Sequence, residues 1–258
     1  MSQEPGENRR RVLRLLYMPY TYLVYLPFLG IFTVICGAIA VAICAISPRA
    51  AFHMGTFWAW TLCRVNPVWV KVRGRNNAVR GQSYVVMINH QSHFDILSFY
   101  GHWGRQFRWV MKEGLRKAPG LGWYCSAGGH VFIDRSSREK AIQSLKNAKS
   151  QIVGGISVVF FPEGTRSKDG RMGQFKKGGF MTALDIGIPI LPVSISNSRH
   201  VLPDRTLKLL PGKIDITIHP PIDPAAYGLE GRDRLMQDVR AAIASGLTAW
   251  ERGEESET

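Results

Sequence analysis

His90 and Asp95 stand five positions apart in the run Asn89-His90-Gln91-Ser92-His93-Phe94-Asp95. If a helix begins near Ser92, Asp95 falls about one turn in, and its carboxylate can lean back toward the imidazole. A carboxylate placed there accepts the Nδ1–H of His90 and fixes the tautomer. It leaves Nε2 as a base and steadies the imidazolium once a proton arrives. His93 is a rival base. A metal held by His90, His93 and Asp95 would need a further ligand that the loop does not offer. Ser92 suits a helix cap better than a nucleophile. No G-x-S-x-G elbow occurs in the chain, so direct transfer between two bound substrates is simpler than a covalent intermediate on serine.

A second polar cluster is Pro162-Glu163-Gly164-Thr165-Arg166-Ser167. Gly164 permits close approach of the backbone to a ligand, and neighbouring N–H groups can face an oxyanion. Arg166 presents a planar fork matched to phosphate. Glu163 cannot bind phosphate and is expected to orient an arginine or accept a substrate hydroxyl. The same residues could also form a surface turn with a salt bridge. A third cluster, Asp134-Arg135, follows an apolar run ending at Ile133.

These clusters need a scaffold that brings them together. Val68, Val70 and Val72 alternate with Trp69, Lys71 and Arg73, a period-2 strand pattern. Tyr84–Ile88, Phe107–Met111, His130–Ile133, Ile156–Phe161, Ile190–Ile195 and Ile214–Ile218 read as further strands. Ser136 with Glu139 resembles a capping box, and Ile142, Leu145, Ala148 and Ile152 follow at helical spacing. Helices are also expected over Gly178–Ile186 and, as an amphipathic stretch, Arg232–Trp250. This alternation predicts an α/β domain with a mixed, mostly parallel sheet flanked by helices, over residues 66–251. In such sheets ligands gather beyond the carboxyl ends of the strands, where all three clusters fall.

The N-terminal quarter has a different character. Residues 1–14 carry Arg9, Arg10, Arg11 and Arg14, and Leu15 to Pro48 contain no charge. Phe28–Ile46 is apolar and about long enough to cross a bilayer. A cleaved signal peptide and a soluble core helix both fit this stretch less well than a membrane anchor. Phe52, Phe57, Trp58 and Trp60 suit a membrane interface, and Arg64 to Arg75 is basic again. Positive charge on both sides favours an N-terminal membrane-associated helical hairpin over residues 15–65, with both flanks on the cytoplasmic face, over one full span, which stays open beside it. Cys36, Cys44, Cys63 and Cys125 form no C-x-x-C pair and read as buried small hydrophobes in a reducing compartment. The acidic tail, 252–258, is expected to be disordered.

The net charge of +14 points to anionic partners. Nucleic acid is disfavoured, because the basic residues of the soluble part are not interleaved with stacking aromatics.

Taken in order, the blocks resemble the glycerolipid acyltransferase family, and within it the 1-acyl-glycerol-3-phosphate acyltransferase branch. Asn89 to Asp95 is similar to the family's N-H-x4-D block. Gly129 to Arg135 is similar to its second block, and Phe161 to Ser167 to its E-G-T-R acceptor block. Ile188-Pro189-Ile190-Leu191-Pro192-Val193 is similar to its fourth, proline-containing block. Lys112-Glu113-Gly114-Leu115 with Pro119 and Gly122 is similar to a K-x-x-L-x-x-x-P-x-x-G segment between the first two. The resemblance covers roughly Asn66 to Ile222.

It implies a fatty acyl transfer from acyl-CoA or acyl carrier protein to the sn-2 hydroxyl of lysophosphatidic acid, with no cofactor or metal. His90 would be the general base and Asp95 its orienting group. Arg166, Lys112 and Arg135 would hold the acceptor phosphate, with Glu163, Gly164 and Thr165 shaping that pocket. It also implies a place on the cytoplasmic face of the inner membrane, among anionic lipids. Another lysolipid acceptor, such as a lyso-ornithine lipid, stays open beside this reading. So does a non-enzymatic basic membrane-binding module. A lipid hydrolase is disfavoured by the missing serine elbow.

Overall fold

A computed structural model describes residues 7–134, 152 and 154–254. The chain enters as helix α1 (Glu7–Tyr20), passes through a π turn (Thr21–Tyr25) and continues as α2 (Leu26–Cys44). The basic residues from Arg9 onward thus share one uninterrupted helix with the apolar stretch. That helix, Arg9–Cys44, is long and apolar enough to cross a membrane, and only 17% of its most apolar window is buried. Val34, Ile35, Ile39 and Val41 point outward. An apolar helix so little covered by protein requires an apolar surrounding.

The chain reverses at 45–47. Ser47 caps α3 (Pro48–Val65), accepting the Ala50 N–H at 3.2 Å, and Pro48 occupies the first turn, where its missing donor costs nothing. α3 packs back along α2: Phe57 meets Phe32 edge-on, and the Trp58 indole donates to Thr33 Oγ1 at 3.0 Å. The pair is a helical hairpin.

A seven-stranded sheet follows, in the order β1-β7-β6-β2-β5-β3-β4. Its strands are β1 (Val68–Arg73), β2 (Val85–Ile88), β3 (Phe107–Lys112), β4 (Val131–Ile133), β5 (Ser157–Phe160), β6 (Ile190–Ser196) and β7 (Gly212–Ile218). Every pairing is parallel except β6 with β7. The expected mixed, mostly parallel sheet is therefore present. The expected helix over 136–152 lies outside the described residues.

Strand periodicity divides the core in two. Val86 and Ile88 of β2 face one layer, with α3 and helix α4 (His93–Trp103); Val85 and Met87 face the other. That second layer holds α6 (Gly178–Ile186) and α8 (Arg232–Ser245). On the first side a short helix, α5 (Leu121–Ala127), precedes β4; on the β6–β7 connection sits α7 (Ser198–Val201). Phe99 of α4 is wholly buried among Trp103, Phe107 and Trp109. Truncating such a residue to alanine costs roughly 3–5 kcal/mol. The C-terminal amphipathic stretch breaks at Gly246 and restarts as α9 (Ala249–Arg252), where a Thr248–Glu251 capping box begins a new helix.

Because β2, β5, β3 and β4 run parallel, their carboxyl ends share one edge. Ile88, Phe160, Lys112 and Ile133 all end there, and the polar clusters follow them.

Candidate active site

Between β2 and α4 the chain is fixed residue by residue. Asn89 is fully buried and grips the backbone of Ile195 twice, donating to its carbonyl at 2.8 Å and accepting its N–H at 2.7 Å. Ser92 is the extended N-cap of α4, accepting the Phe94 N–H at 3.1 Å, and Asp95 completes the capping box. One oxygen of Asp95, Oδ2, accepts the backbone N–H of Gln91 at 2.7 Å and of Ser92 at 2.8 Å. The same oxygen lies 2.8 Å from Nδ1 of His90. Two backbone donors thus aim a buried carboxylate at the imidazole.

This contact sets the tautomer with hydrogen on Nδ1, which turns Nε2 toward the cavity side of the ring. The ring itself stacks on Phe161, with centroids 3.8 Å apart and planes 15° from parallel. Phe161 in turn stacks on Trp109 at 5.5 Å. The imidazole is held at its edge by a carboxylate and at its face by an aromatic stack.

The second cluster docks directly on the first. The N–H of Ser167 donates to the His90 carbonyl at 2.8 Å. Glu163 reaches across with both oxygens. Oε1 accepts the His90 backbone N–H at 2.7 Å, and Oε2 accepts the Gly173 N–H at 2.8 Å. The carboxylate therefore braces two backbone segments instead of orienting an arginine or a substrate hydroxyl, and it does not line the cavity. Burial pushes the Glu163 carboxyl up from its ordinary 4.5 to about 7; the two backbone donors and Arg240 oppose the rise, and Asp95 adds to it.

Gly164 has φ +74°, the left-handed region that glycine occupies without strain. Lys176 lies across it, its Cε 2.9 Å from where a Cβ would stand. Arg166 pairs through Nε with Asp204 Oδ1 at 2.9 Å. Its Nη1 is buried and has no hydrogen-bond partner among the described residues. The Asp204 loop is located by Ser92, whose hydroxyl donates to the Leu202 carbonyl at 2.7 Å.

All this opens on one cavity of about 750 Å³. Its polar end carries His90, Lys112, Thr165, Arg166, Lys176 and Arg205. Its apolar end runs under the hairpin, between Gly37 and Ala40 of α2, Met54 and Trp58 of α3, and Tyr124 of α5. A cavity of this size, apolar with a few convergent polar groups, fits an extended amphiphile. His93 is exposed and does not line it.

A family model described as Acyltransferase matches residues 69–196. The crystal structure of the 1-acyl-sn-glycerophosphate (LPA) acyltransferase PlsC from Thermotoga maritima superposes with a TM-score of 0.74 at 29% identity, covering 92% of this chain and 95% of that one. This chain belongs to the acyltransferase family. The acyltransferase is also 29% identical over 250 residues to a 1-acyl-sn-glycerol-3-phosphate acyltransferase of Chlamydomonas reinhardtii, covering 95% of this chain and 73% of the relative. A chloroplastic 1-acyl-sn-glycerol-3-phosphate acyltransferase of Brassica napus is 32% identical, covering 77% of this chain and 57% of the relative.

Within the acyltransferase, the site residues expected from sequence divide by position. His90, Asp95, Lys112, Gly164, Thr165 and Arg166 come together around the cavity's polar end, Asp95 through its contact with His90. Glu163 stands behind them. Arg135 lies outside the described residues. Phe161, Lys176, Asp204 and Arg205 were not singled out by the sequence. The dibasic step Lys176-Lys177 ahead of α6 was a usable signal; Asp204 and Arg205, on a loop without a motif, had none.

Proposed function

We propose that this acyltransferase moves a fatty acyl group from a thioester donor to the sn-2 hydroxyl of 1-acyl-glycerol-3-phosphate, giving phosphatidic acid. The observation that carries the proposal is that His90, held by Asp95, and the Arg166 guanidinium, held by Asp204, line the same cavity.

In this reading the acceptor's phosphate sits at the polar end. Arg166 supplies a directional donor there, while Lys112 and Lys176 add positive charge. The acceptor hydroxyl then lies at Nε2 of His90, which takes its proton as the oxygen attacks the thioester carbonyl. Asp95 stabilises the resulting imidazolium without itself moving a proton. The protonated ring returns the proton to the departing thiolate. The donor's acyl chain occupies the apolar end beneath the hairpin. The donor is acyl-CoA or acyl carrier protein; both present the same thioester, and no cofactor takes part. Arg9, Arg10, Arg11 and Arg64 at the hairpin's ends support a position on the cytoplasmic face, against anionic lipid.

The test is a transfer assay with purified protein, offering lysophosphatidic acid, lysophosphatidylcholine and a lyso-ornithine lipid with each donor. A preference for lysophosphatidic acid of about tenfold or more in kcat/KM is expected from one charge-assisted phosphate contact. Equal rates with the phosphate-free acceptor would overturn the acceptor assignment.

A further inference from the structure

The segment between β3 and β4 is not needed to hold the catalytic groups, yet it is placed against the most apolar helix of the chain. Gly120 and Gly37 meet backbone to backbone: a Cβ on Gly37 would overlap the Gly120 main chain, and one on Gly120 would stand 2.8 Å from Val34 Cα. Seven residues further along both helices, the Cys44 thiol lies 3.2 Å from the Ala127 carbonyl. Two contacts separated by the same number of residues mean that α5 runs alongside the second half of α2, in the same direction, for about 10 Å.

The composition of the segment matches that position. Residues 118–129 carry no charge at all. Trp123 is 48% exposed, and Ser126, one turn later on the same face, is also exposed. At a bilayer interface the amphipathic ring of an outward tryptophan is favourable. Immediately before the segment come Lys112, Arg116 and Lys117. Arg116 pairs with Glu113 and lies over Phe132, and Lys117 is exposed. Charge, then an uncharged stretch with an exposed tryptophan, is the order expected of a segment that enters from an anionic headgroup layer.

We propose that α5 is a third membrane-embedded element, seated in the phospholipid leaflet beside the hairpin, with Trp123 as its anchor. Any bilayer that covers the outward Ile35, Ile39 and Val41 of α2 must also reach α5, because the two helices lie side by side at the same level. The hairpin alone would leave the domain free to tilt about one helical pair. A third contact fixes the height and tilt of the cavity, whose wall α5 shares through Leu121, Tyr124 and Cys125.

The experiment uses the full chain in vesicles of phosphatidylcholine and phosphatidylglycerol. Cys44→Ser removes the one half-buried thiol while keeping its donor, and the other three cysteines are buried. A nitrobenzoxadiazole dye is then placed through Trp123→Cys, with Ile39→Cys on α2 and Leu229→Cys, before α8, as embedded and aqueous references. Both reference positions are exposed on the protein surface. The dye at 123 should be blue-shifted and quenched by spin-labelled lipid several-fold more than at 229, approaching the dye at 39. A dye at 123 that behaves as at 229 overturns the proposal. Should Trp123→Cys fail to fold, Ser126→Cys carries the dye on the same face, with the same two outcomes. The readout needs no substrate, so its failure and a failure of the acceptor assignment are told apart.

Discussion

The carboxylate of Glu163 holds the backbone of His90: Oε1 accepts the His90 N–H at 2.7 Å while Oε2 accepts that of Gly173. The glutamate of one block thereby sets the height of His90, the proposed base, in another. Its two oxygens are matched to two N–H donors, and only a carboxylate fills both roles.

Glu163→Gln keeps one acceptor and sets an NH2 against the other donor. The expected cost is about 1–3 kcal/mol of stability, with a lower kcat and a nearly unchanged KM, since the cavity lining is untouched. Thermal unfolding of both proteins checks this; an unchanged midpoint with unchanged kcat would remove the bracing role.

The same residue predicts a pH dependence. A carboxyl whose pKa rises from 4.5 to about 7 on folding binds its proton more tightly in the native state. Its contribution to stability is fully present below pH 4.5 and is lost as pH rises through 7, by up to about 3 kcal/mol. The difference in unfolding free energy between wild type and Glu163→Gln should therefore change between pH 5 and about 7.5 and level off above. A pH-independent difference would contradict the burial argument.

Asp95→Asn leaves an oxygen for the Gln91 and Ser92 N–H groups but cannot steady an imidazolium. A loss on the order of 10²–10⁴ in kcat is expected, with a melting midpoint a few degrees lower at most. Steady-state kinetics beside circular dichroism would separate this from a purely structural role, in which kcat would follow stability alone.

Arg166→Ala should raise KM for the phosphorylated acceptor by on the order of 10- to 100-fold, with a smaller change in kcat. Asp204→Asn, which loosens the arginine without removing it, should raise KM only a few-fold. Unchanged values for both would place the phosphate elsewhere.

Much of this arrangement was legible in the residues. Alternating Val68, Val70 and Val72 gave the edge strand, because one face of β1 is wet. Ser92 and Asp95 announced the helix start that aims the carboxylate, because caps are local chemistry. Gly178–Ile186 was read with its observed bounds, since Gly187 stops it in the left-handed region. What stayed hidden was long-range. Nothing local tells that β7 inserts between β1 and β6, that Asp204 reaches Arg166, or that Phe161 lies under the His90 ring. The bracing contacts of Glu163 are hidden for the same reason: its partners are backbone donors of residues 73 positions before it and 10 after. The Gly37–Gly120 contact depends on two glycines far apart in sequence, Gly37 outside every block and Gly120 at an unspecified position of the Lys112–Gly122 segment.

The most direct measurement is the turnover of His90→Ala with lysophosphatidic acid and a saturating acyl donor, beside its circular dichroism and melting curve. Loss of the base should lower kcat on the order of 10²–10⁴ while the fold persists, because the ring is held by its neighbours and not the reverse. Near-normal turnover by a folded His90→Ala protein would contradict the assignment of His90 as the base.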